Sequence, residues 1–269
     1  MSDKKILFIN KEISPYVPMT HMSKLGNEMP KVMADAGWEM RAFLPKWGNV
    51  NERRNQLHEV IRLSGMNIII NDTDHPLIIK VATLASAHIQ VYFIDNDDFF
   101  RKRLMNLDKN NEEYKDNYER AIFYARSVIE TTKLLRWFPN VILCQGWVSS
   151  LAPFYLKTAY NDEPCYQNAK IVYVLHNDTL QSPLPDNFVD LLTFRNVTPE
   201  TIKGYGIDFK SCKDLQKFAI NFCDAVICAE PSIDKELIGY AKEKGLPVLE
   251  YSDDKDLEQR SAAFFDTLI

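Results

Sequence analysis

No stretch of about 18 consecutive apolar residues, the length a membrane-spanning helix needs, occurs in the 269-residue sequence. The apolar run KILFIN at residues 5–10 is too short for the hydrophobic core of a signal peptide and reads as the start of a domain. Basic charge is not in excess: 32 Lys and Arg against 37 Asp and Glu leave a net −5. Without a basic footprint, nucleic acid is not expected as a partner, and neither is a membrane. The five cysteines, Cys144, Cys165, Cys212, Cys223 and Cys228, are odd in number and scattered, with no C-x-x-C pair. That usage points to free thiols in a reducing cytoplasm. Cys223 and Cys228 lack zinc-ligand spacing, and no metal or cofactor is expected. Repeats and low-complexity segments are absent as well.

What is present is 46% apolar residues, enough for a sizeable core. The chain opens on strand, loop, helix and strand. KILFIN suits a strand buried on both faces of a parallel sheet. Met22, Leu25, Met29, Val32 and Met33 follow at spacings of three and four, one apolar helical stripe. Thr20 or Ser23 can cap that helix, Gly37 stands where its C-terminus favours a left-handed residue, and Pro30 predicts a kink or restart. WEMRAFLP is the second strand. Residues about 57–95 are β-rich, with VIRL, MNIIIN, PLIIKVATL and IQVYFID read as strands and Asn71–Pro76 as a turn. A polar surface loop over Asn106–Asp116 precedes a helix over Asn117–Trp137. VILC, KIVYVL, AVICA and PVLEY are further strands, separated by helices over Val148–Tyr160, Asp214–Phe222 and Ser232–Lys244 and closed by one from Asp254 to Leu268. Residues 178–212 read as loops and short helices. The alternation predicts a single domain over 1–269: α/β, a doubly wound, mostly parallel sheet with a β-hairpin insertion. Ligands of such sheets bind beyond the carboxyl ends of the strands.

Glu12, Pro15, Tyr16 and Pro30 fall without a gap on the N-terminal pattern E-x-x-P-[FY]-x-K-T-G-G-L-[AG]-D-V-x-x-x-L-P. Lys46-Trp47-Gly48, the strand VYFID, Asp116-Asn117 with Arg120, and PNVILCQGWVSSLAPFYLK also match in frame. In these segments the sequence resembles bacterial glycogen synthases and plant starch synthases, from Lys4 to about Pro231. The resemblance implies a Rossmann-like half of a GT-B glycosyltransferase. The family moves glucose from a nucleotide donor to an α-1,4-glucan with retention, in a cleft between two such halves. Here the matched segments cover one half, and the donor-binding half is not among them.

The family's polar groups are largely replaced. Pro18 stands at the Lys, Thr20 and His21 at the Gly pair that admits donor phosphates, and Lys24 at the Asp. Leu143 and Gln145 stand at two His positions, Gly146 at an Asp, and Val148 at the residue that contacts the sugar. Val offers no donor or acceptor. His176-Asn177 and Gln181 keep the family's wording after a strand and form the best-preserved polar site, where a His can hydrogen-bond a sugar hydroxyl or, as a structural residue, a neighbouring loop. The resemblance implies an acceptor-side role for Asp116, although an N-terminal helix charge with a cap alone accounts for an Asp and an Asn there. Trp147 offers a face for a sugar, or sits in the core. His21 has no acidic partner near it in sequence. Asp97 and Asp98 are adjacent and would point to opposite faces of a strand, unlike a two-acid glycosidase pair. The run SDDKDLEQR reads as a solvated helix start.

No catalytic residue is expected in this chain. The expected substrate-binding set is Tyr16, His21, Asp116, Gln145, Trp147, His176, Asn177 and Gln181, facing an α-glucan. Three functional readings remain open: a transferase half inactive alone and completed by a separately encoded donor-binding half, a non-catalytic glucan-binding or regulatory module, or a self-associating protein without sugar binding.

Overall fold

A computed structural model describes residues 4–253 and 256–269. In chain order the strands are β1 (Lys5–Asn10), β2 (Glu39–Pro45), β3 (His58–Glu59), β4 (Asn67–Ile70), β5 (Thr73–Pro76), β6 (Ile78–Leu84), β7 (Ile89–Asp95), β8 (Val141–Gln145), β9 (Lys170–Leu175), β10 (Ala225–Cys228) and β11 (Val248–Leu249). The α-helices are α1 (His21–Asp35), α2 (Asn117–Leu134), α3 (Ala152–Lys157), α4 (Phe188–Leu191), α5 (Pro199–Lys203), α6 (Cys212–Ile220), α7 (Lys235–Glu243) and α8 (Leu257–Asp266).

Nine strands share one sheet in the order β11-β10-β9-β8-β1-β2-β7-β6-β3. Pairing is parallel from β11 through β7, and β6 and β3 add an antiparallel edge. β1 lies centrally, Ile6 facing Met40 of β2 and Val141 of β8. From β1 the chain winds one way to β2 and returns to the other side at β8. The boundary between β1 and β8 is therefore the switch point where open α/β sheets leave a crevice. Ile6, Leu7, Phe8 and Ile9 are fully buried, as expected of a strand covered on both faces. The helices pack in two groups, α1 on α8, and α2 on α3 with α3 on α6 and α6 on α7. This is the doubly wound α/β arrangement.

α1 follows its sequence signals closely. Thr20 is the N-cap and accepts from Ser23 N, while the Ser23 hydroxyl accepts from Thr20 N in a reciprocal capping box. At the other end Gly37 takes φ +84°, with Gly37 N bonded to Ala34 O and Trp38 N to Met33 O, a Schellman closure. α1 runs through Pro30 without a restart, and Pro30 is buried with Met29 and Met33.

Among the described residues the β4–β5 hairpin stands apart, while β6 and β7 belong to the main sheet. Several expectations need correcting. VIRL is a 3-10 turn over Ile61–Leu63 rather than a strand. The turn expected over residues 71–76 shrinks to Asn71 and Asp72, both at positive φ, and Thr73–Pro76 pairs with β4. Two such residues match the twist of a hairpin, so the polar run continues as strand. Asp97 and Asp98 lie in a turn after β7. The helix expected over Val148–Tyr160 splits into a 3-10 turn at Trp147–Ser149 and the short α3. The last helix begins at Leu257. Its expected start at Asp254, within SDDKDLEQR, lies outside the described residues.

Candidate functional site at the carboxyl edge of the sheet

Lys11, the first residue after β1, is buried at the switch point. Its Nζ lies 2.5 Å from Asp178 Oδ1 and 3.0 Å from Glu12 Oε1. Burial alone would lower the Lys11 pKa, but the two carboxylates outweigh it and hold the ammonium above its ordinary value. Asp178 Oδ2 also accepts from Trp147 N at 3.1 Å, so the loop after β9 is tied to the loops after β1 and β8. Glu12 in turn accepts from the Thr20 hydroxyl. The charges at the base of the crevice are thus already engaged with one another.

Beside this triad His176 directly follows β9 and Glu230 lies two residues past β10. His176 Nδ1 is 2.9 Å from Glu230 Oε1. Asn177 Nδ2 donates to Glu230 Oε2 at 2.9 Å and to Ser232 Oγ at 2.7 Å. His21, on the first turn of α1, brings its Nδ1 to 4.0 Å from the same Oε1. The hydrogen bond from His176 holds the Glu230 carboxyl below the usual range. A cavity of about 190 Å³ opens among these side chains, bordered by Glu12, Thr20, His21, His176, Asp178 and Glu230.

The expected binding residues divide sharply. His21, His176 and Asn177 come together at this cavity. Gln181 is exposed further along the same loop, where its backbone N–H and that of Ser182 donate to Glu113. Gln145 is fully buried and its amide donates to Asn10 Oδ1 and Met22 O, which locks β1, β8 and α1 together. Trp147 is fully buried, its indole N–H bonded to Asn106 Oδ1 at 3.0 Å, so its face is not available to a sugar. Tyr16 packs edge-on against Phe93 with its hydroxyl unpartnered among the described residues, and burial pushes that hydroxyl up to about 12. Asp116 starts α2 but makes no side-chain cap; its carboxylate pairs with both terminal nitrogens of Arg103. Arg120 is buried and donates to the Leu104 and Met105 carbonyls, pinning the loop before α2.

Lys11, Asp178 and Glu230 are absent from the expected set. Each lies within three residues of the end of a strand, β1, β9 or β10, a position that sequence alone marks, but the pairing of Lys11 with Asp178 spans 167 residues. His21 gains its acidic neighbour the same way, from a strand far along the chain.

A family model described as the starch synthase catalytic domain matches residues 5–249. The chain belongs to that family. Among curated relatives, a glycogen synthase of Chlorobium luteolum is 33% identical over 201 residues, 74% of this chain and 40% of the relative. A glycogen synthase of Chlorobium phaeovibrioides is 30% identical over 238 residues, 88% of this chain and 48% of the relative. The chain therefore spans less than half the length of these relatives. Among solved structures, the catalytic domain of starch synthase IV from Arabidopsis thaliana, determined with ADP and acarbose, superposes with a TM-score of 0.70 at 14% identity, covering 92% of this chain and 51% of that one. That likeness confirms the Rossmann-like fold.

Within the starch synthase frame, the departures have local structural partners. Gly146 replaces an Asp and takes φ +83°, and a Cβ there would fall 2.6 Å from Lys11 Cβ. Thr20 replaces a glycine and closes the N-terminus of α1 with its capping box.

Proposed function

We propose that this chain is the acceptor-facing half of a glucan synthase, that it holds an α-glucan at the carboxyl edge of the sheet, and that it transfers no glucose by itself. The observation that carries the reading is the state of the α1 N-terminus. In the family frame a glycine pair and a Lys there meet donor phosphate. Here Thr20 caps Ser23 N and hydrogen-bonds Glu12, and Pro18 brings no charge. A phosphate would have to displace the cap and approach the buried carboxylates of Glu12 and Asp178. Lys11 is committed to those same carboxylates.

The acceptor side keeps polar groups at its rim: His21, Asn177 and Gln181. These suit hydroxyl-rich ligands, for which an imidazole and two amides offer donors and acceptors. The donor half of the cleft is supplied by other sequence, in the same polypeptide or a second one. The reading also places the chain in a reducing cytoplasm, and support comes from its five cysteines, all free and buried. No helix of the described residues is long and apolar enough to cross a membrane.

The test is titration of the purified 269-residue chain with maltooligosaccharides and with ADP-glucose, alongside incorporation of labelled glucose into glycogen. Maltooligosaccharide binding without incorporation is expected, weakened several-fold by Asn177→Ala in a chain that stays folded. ADP-glucose binding tighter than about 1 mM, or incorporation by the chain alone, would overturn the reading. So would a folded chain that ignores every glucan.

A further inference from the structure

We propose that His21, His176 and Glu230 form a binding site for one divalent transition-metal ion, with zinc the best fit. Two imidazoles and a carboxylate are the donor set of such ions, and their mixed nitrogen and oxygen character disfavours magnesium and calcium. The three ligand atoms lie within 4.8 Å of one another. His176 Nδ1 and His21 Nδ1 stand 2.9 and 4.0 Å from Glu230 Oε1. Ligand atoms around a tetrahedral zinc are about 3.3 Å apart, as bond lengths near 2 Å require. The observed separations bracket that value, and His21, exposed on the first turn of α1, has room to close the remainder.

Independent observations support a cation here. His176 is 4% exposed, borders the cavity, and its Nε2 has no hydrogen-bond partner among the described residues. No neighbour at Nε2 therefore fixes the tautomer, and Nδ1, the atom turned to Glu230, can present its lone pair to an ion once the proton shared with the carboxylate is lost. Three carboxylates, Glu12, Asp178 and Glu230, border the same cavity, while the buried Lys11 answers only the first two. Asn177 holds Oε2 of Glu230 and leaves Oε1 turned to both imidazoles, the outer-sphere support that orients a ligating carboxylate. With three protein ligands the fourth position faces the cavity, where water or a sugar hydroxyl would complete the shell.

The inference does not depend on the glucan reading, and its test uses no sugar. The untagged chain, stripped with a chelator, is titrated with zinc by calorimetry and with cobalt by visible absorption. One equivalent of zinc and the intense visible bands of four-coordinate cobalt are expected. Glu230→Gln and His176→Ala should each weaken binding at least about tenfold. His176→Ala risks the fold because the ring is buried, so His21→Ala, at an exposed position, provides the second measurement and should lose the cobalt bands while its circular dichroism is unchanged. Absence of saturable binding in the wild-type chain, or wild-type affinity in His21→Ala and Glu230→Gln, would overturn the site.

Discussion

Lys11 Nζ and Asp178 Oδ1 meet at 2.5 Å with both side chains largely withdrawn from water, joining the loop after β1 to the loop after β9. Removing one member of such a pair leaves the other charge buried. Asp178→Ala also strips the acceptor from Trp147 N. Because Glu12 remains beside Lys11, the expected loss of stability is about 3 kcal/mol, at the low end for a broken buried pair. Urea denaturation measures it; a change below about 0.5 kcal/mol would mean the pair behaves as a solvated one.

Gly146→Asp introduces the residue of the pattern that the sequence resembles at this position, and it should harm the protein. The new Cβ would meet Lys11 Cβ at 2.6 Å and approach Asp178 Oδ2 at 3.3 Å, and the backbone is at φ +83°. Overpacking costs about 1–3 kcal/mol and a left-handed backbone roughly 1–2 more. We expect a lower denaturation midpoint and no gain of ADP-glucose binding. Unchanged stability would show that the β8 loop relaxes freely.

Trp147→Ala should act on the core. The indole is fully buried and bonded to Asn106, so its loss is expected to cost about 3–5 kcal/mol. The affinity of the folded fraction for maltooligosaccharides should not change. A folded variant that loses sugar binding while keeping its melting temperature would place the ring in contact with ligand after all.

Glu52 makes stability depend on acid away from the crevice. Burial raises its pKa, but Lys80 and Lys46, each hydrogen-bonded to it, outweigh burial and hold the carboxyl below its ordinary value. A carboxyl depressed in the folded state stabilises above its ordinary pKa, and that contribution fades as pH falls through the folded value. The stability difference between wild type and Glu52→Gln should therefore shrink between about pH 5 and pH 3. A difference that is constant across this window would show that the lysines do not stabilise the charged form.

The sequence by itself determined the frame. Continuous apolar runs marked β1, β8, β9 and β10, because a strand covered on both faces has no polar side to show. The stripe from Met22 to Met33, with Thr20 before it and Gly37 after, delimited α1, because capping and periodicity are local physics. Matching words at fixed spacing placed the chain near its family. Tertiary structure alone decided which polar residues face the crevice. Gln145 and Trp147 carry sugar-binding chemistry by residue type, yet one ties three elements together and the other fills the core. His21 looked unaccompanied until the ends of β9 and β10 brought His176 and Glu230 beside it. Side-chain direction at a strand end depends on the neighbouring strands and loops, which come from sequence far away, and no local pattern encodes which of them will be there.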